Sequence, residues 1–179
     1  MNTKTTLKDL SYSLAVEPWC ISEDKFSAEF APLHETLFTL GNGKIGVRGA
    51  HEEGKIWPNT FQNDVFINGF YEAEPINYPE SAYGFAKTNQ FMVRVPNATA
   101  IQFSVDNEAF DPDQGKISNY QRSLDFQTGI LTRSFDWTTS SGKAIRVTNE
   151  RLVSLVHTSV IVQRYSLTAL NQSVDITLE

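Results

Sequence analysis

The 179-residue sequence holds a single cysteine, Cys20, so a framework of internal disulfides is excluded by arithmetic. Cys20 reads as a small apolar filler. Long apolar runs are missing too. The opening "MNTKTTLKDLSYSLAVEPWC" lacks the apolar core of a secretory signal, and no later run approaches the ~18 apolar residues of a membrane-spanning helix. A cytoplasmic protein with no membrane partner is expected. Basic charge is sparse, with 15 Lys and Arg against 21 Asp and Glu and a net charge of −6. Those basic residues are scattered, and neutralising phosphates needs a cluster, so nucleic acid is excluded as a partner. The three histidines, His34, His51 and His157, are not at metal-ligand spacing, and no Cys or Asp cluster accompanies them. No internal repeat, low-complexity segment or long helical period is present.

What is present is enough apolar material, 40% of residues, to fill the core of one ordinary domain. From about residue 90 the pattern alternates with period two. Leu131, Arg133, Phe135 and Trp137 share one face of a strand, and Ile130, Thr132, Ser134 and Asp136 share the other. "TTSSGK" supplies a turn, and Ile145 and Val147 resume the alternation, which makes a β-hairpin. Further strands are predicted at Phe91–Val95, Thr99–Val105, Val160–Thr168 and Val174–Leu178, separated by "VPNAT", "DPDQGK" and "LNQS". Strands at this density predict an all-β fold, an antiparallel β-sandwich. Short helical turns are expected only near Ser22–Phe26 and Ser81–Phe85. The final "SVDITLE" reads as a strand that stops without a turn, so the chain is expected to be a piece of a longer protein.

Residues 35–54, "ETLFTLGNGKIGVRGAHEEG", pack five glycines and three glutamates into twenty positions. A phosphate loop of the Walker type ends in Gly-Lys-Ser/Thr at a helix start, and a dinucleotide loop also opens a helix. Here the glycines run into "KIGVRGA", which alternates like a strand, so neither reading holds and no cofactor is expected. The structural reading is a positive-φ turn at Gly41-Asn42-Gly43 joining "TLFTL" to "KIGVRGA". Gly46 and Gly49 then mark a bulge or a close backbone approach. Glu35, Glu52, Glu53 and Glu72 are the carboxylates from which a glycosidic acid would be drawn, a role that needs a raised pKa and a partner across the bond. Exposed loop acids are far commoner than catalytic ones, so no catalytic residue is assigned. Phe66, Phe70, Tyr71, Tyr78, Tyr83 and Phe85 crowd a segment with two prolines. They suit packing, an interface with a further domain, or stacking on sugar rings. Tyr71, Tyr78, Tyr83 and Phe85 are the candidate interface or sugar-contact residues.

Taken together, "ETLFTLGNGKIGVRGAHEEG", "FINGFYE", "PINYPESAYGFAKTNQ", "VPNATAIQF", "LDFQTGILTRSFDW" and "SSGKAIRV" resemble the N-terminal domain of glycoside hydrolase family 65, which includes maltose, kojibiose and trehalose phosphorylases. The likeness runs in register from about Trp19 to Glu179. It implies a galactose mutarotase-like super-sandwich, incomplete at its C-terminal end, that precedes a helical linker and an (α/α)₆ barrel. In such enzymes the barrel carries the acidic glutamate and the phosphate-holding residues. Inorganic phosphate attacks an α-glucoside with inversion to give β-glucose 1-phosphate and a released sugar. Residues 1–179 are then a non-catalytic N-terminal domain, inactive alone, from a parent expected to be of the maltose type. Its expected partners are the catalytic barrel of the same polypeptide, a second copy in a homodimer, and a disaccharide. The alternative is a weak carbohydrate-binding module that uses the exposed aromatics.

Overall fold

The computed structural model describes residues 14–55 and 65–179. Residues 1–13 of the stretch inspected for a leader lie outside the described residues. Among the described residues the strands are β1 (Ala15–Glu17), β2 (Cys20–Glu23), β3 (Leu40–Gly41), β4 (Ile45–Val47), β5 (Val65–Pro75), β6 (Thr88–Val95), β7 (Phe103–Val105), β8 (Glu108–Ala109), β9 (Lys116–Asp125), β10 (Ile130–Thr138), β11 (Ala144–Val153), β12 (Ile161–Ala169) and β13 (Ile176–Leu178), with one helix, α1 (Ala31–Leu37). They form a six-stranded sheet, β1-β2-β9-β10-β11-β12, and two smaller sheets, β3-β4-β5-β6 and β13-β7-β8, with neighbouring strands antiparallel throughout. The expected all-β sandwich is the observed architecture. No helix among the described residues is long and apolar enough to cross a membrane.

Alternation fixes which residues fill the interior. Leu131, Arg133, Phe135 and Trp137 of β10 are all buried, as their shared face requires. The β10–β11 hairpin turns at Thr139–Lys143, where Thr139 N donates to Lys143 O at 2.8 Å and Gly142 takes a φ of 84°. Two apolar clusters result. The β3–β6 sheet covers one half of the large sheet through Phe38, Leu40, Ile45, Val47 and Val65 against Leu124, Leu131 and Val153. The β7–β8–β13 sheet covers the other half through Phe103 and Val105 against Phe135, Trp137, Ile145 and Val147. A register shift between Ser134 and Asp136 and a positive φ of 51° at Asn119 mark a β-bulge between β9 and β10.

Several expectations need correction. The stretch "TLFTL" is not a strand entering the hairpin, because Thr36 and Leu37 finish α1 and only Leu40–Gly41 pairs with β4. Phe30, His34 and Phe38 recur every four residues, and their rings stand in a row 6.0 and 6.1 Å apart, so the helical period wins there. Ser22 belongs to β2, and Ser81–Phe85 makes a turn closed by Phe85 N on Ala82 O, so neither expected helical turn forms. The strand predicted over Thr99–Val105 is confined to Phe103–Val105. Ile101 N instead bonds Glu52 O, and Thr99 Oγ1 takes a bond from Arg151. Gly46 marks neither a bulge nor a close approach, since it pairs in register with Gly41 and Phe66, and a Cβ there meets nothing.

The glycine run does make the hairpin, with Gly43 alone of its three turn residues at positive φ, 83°. Asn42 is the centre of the turn. Its Oδ1 accepts Lys44 N at 3.0 Å and Ile45 N at 2.8 Å, while its Nδ2 donates to Ser154 O at 2.7 Å and Thr158 O at 3.1 Å. The β3–β4 turn is thereby clasped to the β11–β12 turn of the facing sheet. Gly49 is the close approach: a Cβ there would lie 2.6 Å from Phe38 Cβ and 2.7 Å from the Phe38 carbonyl group. Asn42→Ala removes all four bonds and is expected to lower the unfolding free energy by about 2 kcal/mol in urea denaturation. Gly49→Ala is expected to cost about 1–3 kcal/mol in the same assay, through overpacking against backbone.

Candidate functional site

The chemically distinctive part of the interior lies between the two apolar clusters. Arg122 of β9, Arg133 of β10 and Asn149 of β11 stand opposite one another in register, and Arg151 follows two residues on along β11. All four are inward-facing and buried. A charge placed on an inward position of a sheet needs a partner, and the "AHEEG" end of the glycine-rich run supplies it. Arg133 Nη2 donates to Glu52 Oε2 at 2.6 Å and to Glu53 Oε1 at 2.5 Å. Arg151 Nη2 donates to Glu52 Oε1 at 2.7 Å and to Ala50 O at 3.1 Å, and Asn149 Nδ2 donates to Glu52 Oε1 at 2.8 Å. Arg122 bonds the Gly49 carbonyl and faces Glu23 at 3.6 Å, whose other contacts are the Tyr120 hydroxyl at 2.7 Å and His34 Nδ1. Tyr165 donates to Glu53 Oε1 at 2.6 Å. Three guanidiniums and three carboxylates, Glu23, Glu52 and Glu53, form one belt across the sandwich.

The electrostatics of the belt decide what it can do. Burial pushes the Glu52 carboxyl up, but Arg133 and Arg151 beside it outweigh burial and hold it below the usual range. Glu23 is held low in the same way, with burial opposed by the His34 hydrogen bond and the Arg122 charge. Burial and then the charges of Arg133, Arg122 and Arg151 push His51 well below the ordinary histidine value. Burial raises the Tyr120 and Tyr165 hydroxyls. A glycosidic acid must carry a proton near neutrality and touch substrate. Glu52 is an anion with 2% of its surface exposed, so it does neither. Glu35 is buried on α1 with Arg48 at 3.7 Å, and Glu72 lies exposed on β5. Of the four glutamates weighed in the sequence only Glu52 and Glu53 come together, both on Arg133. No group of three or more His, Cys, Asp or Glu positioned for a metal occurs among the described residues.

Tyr71, Tyr78, Tyr83 and Phe85 sit on a different feature, the β5–β6 arm. Only the base of this hairpin is covered; from Asn68 onward nearly every residue is exposed, Phe70, Phe91 and Met92 included. Asn68 ties the base to the β3–β4 turn, with its N on Lys44 O at 2.7 Å and its Nδ2 on Gly43 O at 3.1 Å. Tyr78 and Phe85 pack at 4.9 Å with a 54° tilt, while Tyr83 stands fully free. The structure thus groups the four candidates on one projecting element. The belt residues Arg122, Arg133, Arg151 and Glu23 were not singled out in the sequence. Their signal was a charged residue at an inward position of an alternating strand, as with Arg133 between Leu131 and Phe135.

Removing the Glu52 charge leaves Arg133 and Arg151 short of a buried partner. Glu52→Gln is expected to cost about 3–5 kcal/mol at pH 7 in chemical denaturation. A depressed carboxylate stabilises above its unfolded value, near 4.5, and that contribution is lost as pH falls through the folded value. The wild-type chain is therefore expected to lose stability below pH 4.5, and the variant to show less of that loss. His51, depressed from 6.5, adds an earlier loss as pH falls below that value, which His51→Gln is expected to flatten.

Residues 21–179 match the family described as glycosyl hydrolase family 65, N-terminal domain. The chain is 46% identical over 140 residues to an α,α-trehalose phosphorylase of Thermoanaerobacter brockii, covering 78% of this chain and 18% of that protein. It is 37% identical over 166 residues to an uncharacterized glycosyl hydrolase of Mycobacterium tuberculosis, covering 92% of this chain and 20% of that protein. A solved structure of a putative kojibiose phosphorylase from the human microbiome superposes with a TM-score of 0.83 at 26% identity, over 93% of this chain and 22% of the other. The chain thus spans about a fifth of the length of these relatives. It belongs to glycosyl hydrolase family 65, as an N-terminal domain of that family.

Proposed function

We propose that residues 1–179 are the non-catalytic β-sandwich of a phosphorylase, buttressing a catalytic barrel on the same polypeptide and contributing to its dimer, in the cytoplasm. The parent cleaves an α-glucosyl disaccharide with inorganic phosphate and inverts the anomeric carbon, releasing β-glucose 1-phosphate and a sugar. Phosphate takes the place of the water of an inverting hydrolase, so a single protein carboxylate suffices. That carboxylate belongs to the barrel. The observation that supports a scaffold role is the state of Glu52, closed inside the belt as an anion by Arg133 and Arg151. The substrate class is supported by the names of the relatives, trehalose and kojibiose phosphorylases. Maltose, the disaccharide expected from the sequence, belongs to the same class and is kept within the proposal as the narrower choice.

The arm carries the contact with the barrel through Tyr71, Tyr78, Tyr83 and Phe85. The 54° tilt between Tyr78 and Phe85 favours an interface over sugar binding, since a platform for a pyranose ring is flat. The purified 179-residue chain, incubated with phosphate and maltose, trehalose or kojibiose in turn, is expected to release no glucose. The full-length polypeptide is expected to yield β-glucose 1-phosphate from one of them. Turnover by the 179-residue chain overturns the scaffold reading.

A further inference from the structure

The two ends of the six-stranded sheet differ in the chemistry of their turns. At one end lie Asp106–Asn107, Asp111–Gly115, Thr139–Lys143 and Leu170–Ser173, made almost wholly of Asp, Asn, Ser, Thr, Gln, Gly and Lys, as solvated turns are. At the other end lie the β1–β2, β9–β10 and β11–β12 turns. These present Trp19 at 63% exposure, Phe126 at 51%, Leu155 at 75% and Val156 at 84%. Phe126 N donates to Trp19 O at 2.8 Å, so the first two turns touch. Asn42 ties the β11–β12 turn to the β3–β4 turn, on which Asn68 seats the arm. The arm and the three turns therefore share one pole of the sandwich, and most of the large exposed apolar side chains gather there.

Trp19 makes this pole more than a chance exposure. Among the described residues four non-glycine positions take a positive φ, and three are the Asn or Asp that tolerate it, Asp106, Asn107 and Asn119. The fourth is Trp19, at 68°. A bulky side chain in that region carries backbone strain, and within this chain the exposed indole gains little burial to offset it. Residues held this way cluster where a surface works on something else.

We propose that this pole, from Trp19, Phe126, Leu155 and Val156 out along the arm, is the seat of the catalytic domain of the same polypeptide, with Trp19 as its anchor. The inference rests on the phosphorylase reading and widens the contact from the arm to the turns beneath it. Apolar surface of this extent marks an interaction site, and interface cores favour aromatic anchors. The relatives carry about four-fifths of their length outside the matched part, so a covering domain is on hand in the same chain. A second copy fits poorly, because a symmetric contact sets like against like. A symmetric contact through the arm would bring Glu72, Glu74 and Glu80 up against the same acidic patch, with Lys87 the one basic residue from 72 to 87 to offset them.

Hydrogen exchange of the 179-residue chain and of the full-length polypeptide tests the footprint. Amides at 19–20, 126–129 and 155–160 and along the arm are expected to exchange at least tenfold more slowly in the full-length protein than in the 179-residue chain. Those at 106–107 and 139–143 are expected to match in both. Trp19→Gly supplies a second readout, because glycine accepts the positive φ and keeps the carbonyl that binds Phe126 N. It is expected to leave unchanged or raise the melting temperature of the 179-residue chain, yet to raise exchange at the pole at least tenfold in the full-length protein. Gln172→Ala, at the polar end, is expected to alter neither. Protection confined to the polar end, a Trp19→Gly full-length protein with its pole still protected, or a 179-residue chain that dimerises through Trp19 each overturns the inference. A full-length protein that lacks phosphorolysis yet shows the footprint instead overturns the phosphorylase reading alone.

Discussion

The sandwich depends on a balance of buried charge: Arg122, Arg133 and Arg151 on the large sheet against Glu23, Glu52 and Glu53 brought to them by other segments. Two of the connecting segments are tied there. The segment leaving β4 gives the Gly49 and Ala50 carbonyls and both glutamates, and the crossover into β7 gives Thr99 Oγ1 and Ile101 N. Such a belt is not an efficient source of stability, since desolvating ions offsets much of their attraction. The Nε atoms of all three arginines are buried without a hydrogen-bond partner, which adds to the cost. What the belt supplies is registration. A slip of one residue in β9, β10 or β11 would turn each guanidinium outward and leave the carboxylates alone in the interior. The two apolar clusters pack without directional bonds, and the polar row between them stops either small sheet from sliding along the large one.

Much of this was legible in the sequence where a single period governed. The β10–β11 hairpin followed from alternation because one face is wholly buried, and "TTSSGK" could hardly be anything but its turn. The helix was missed because "TLFTL" reads with either period, and the row Phe30, His34, Phe38 that decides it begins upstream of that stretch. The strand over Thr99–Val105 was overextended because Thr99 has strand-forming chemistry but is needed by Arg151. Arg133 was placed on the correct face, and its burial beside Leu131 and Phe135 already demanded an anion. Which anion depended on the register of three strands, and that is not local information. Composition alone pointed to the aromatic arm, whereas the company of Trp19, Phe126, Leu155 and Val156 at its foot arises from the meander, which returns alternate turns to the same end.

The glycine-rich run now has a division of labour along its length. Gly43 supplies the positive φ, Asn42 spends every side-chain donor and acceptor on the clasp, Gly49 allows the chain to lie against Phe38, and Glu52 and Glu53 enter the belt. These are consecutive mechanical tasks. A run that superficially offers phosphate-binding glycines and catalytic acids is consumed by folding, because Asn42, Glu52 and Glu53 are already engaged by internal partners.

That consumption also explains where chemistry can and cannot reside. A catalytic acid works near neutrality because its surroundings disfavour the anion and leave a path to substrate. The interior here does the reverse at Glu23 and Glu52: neighbouring guanidiniums favour the anion, and side chains close over it. Reversing either condition would mean dismantling the row that registers the sheets, so this scaffold cannot evolve an acid at those positions without losing its fold. The surface has the complementary character. Its unsatisfied quantity is apolar area, gathered at one pole around a strained tryptophan. Paired charge inside and apolar area gathered at one end fit the scaffold role proposed above, with association at that pole.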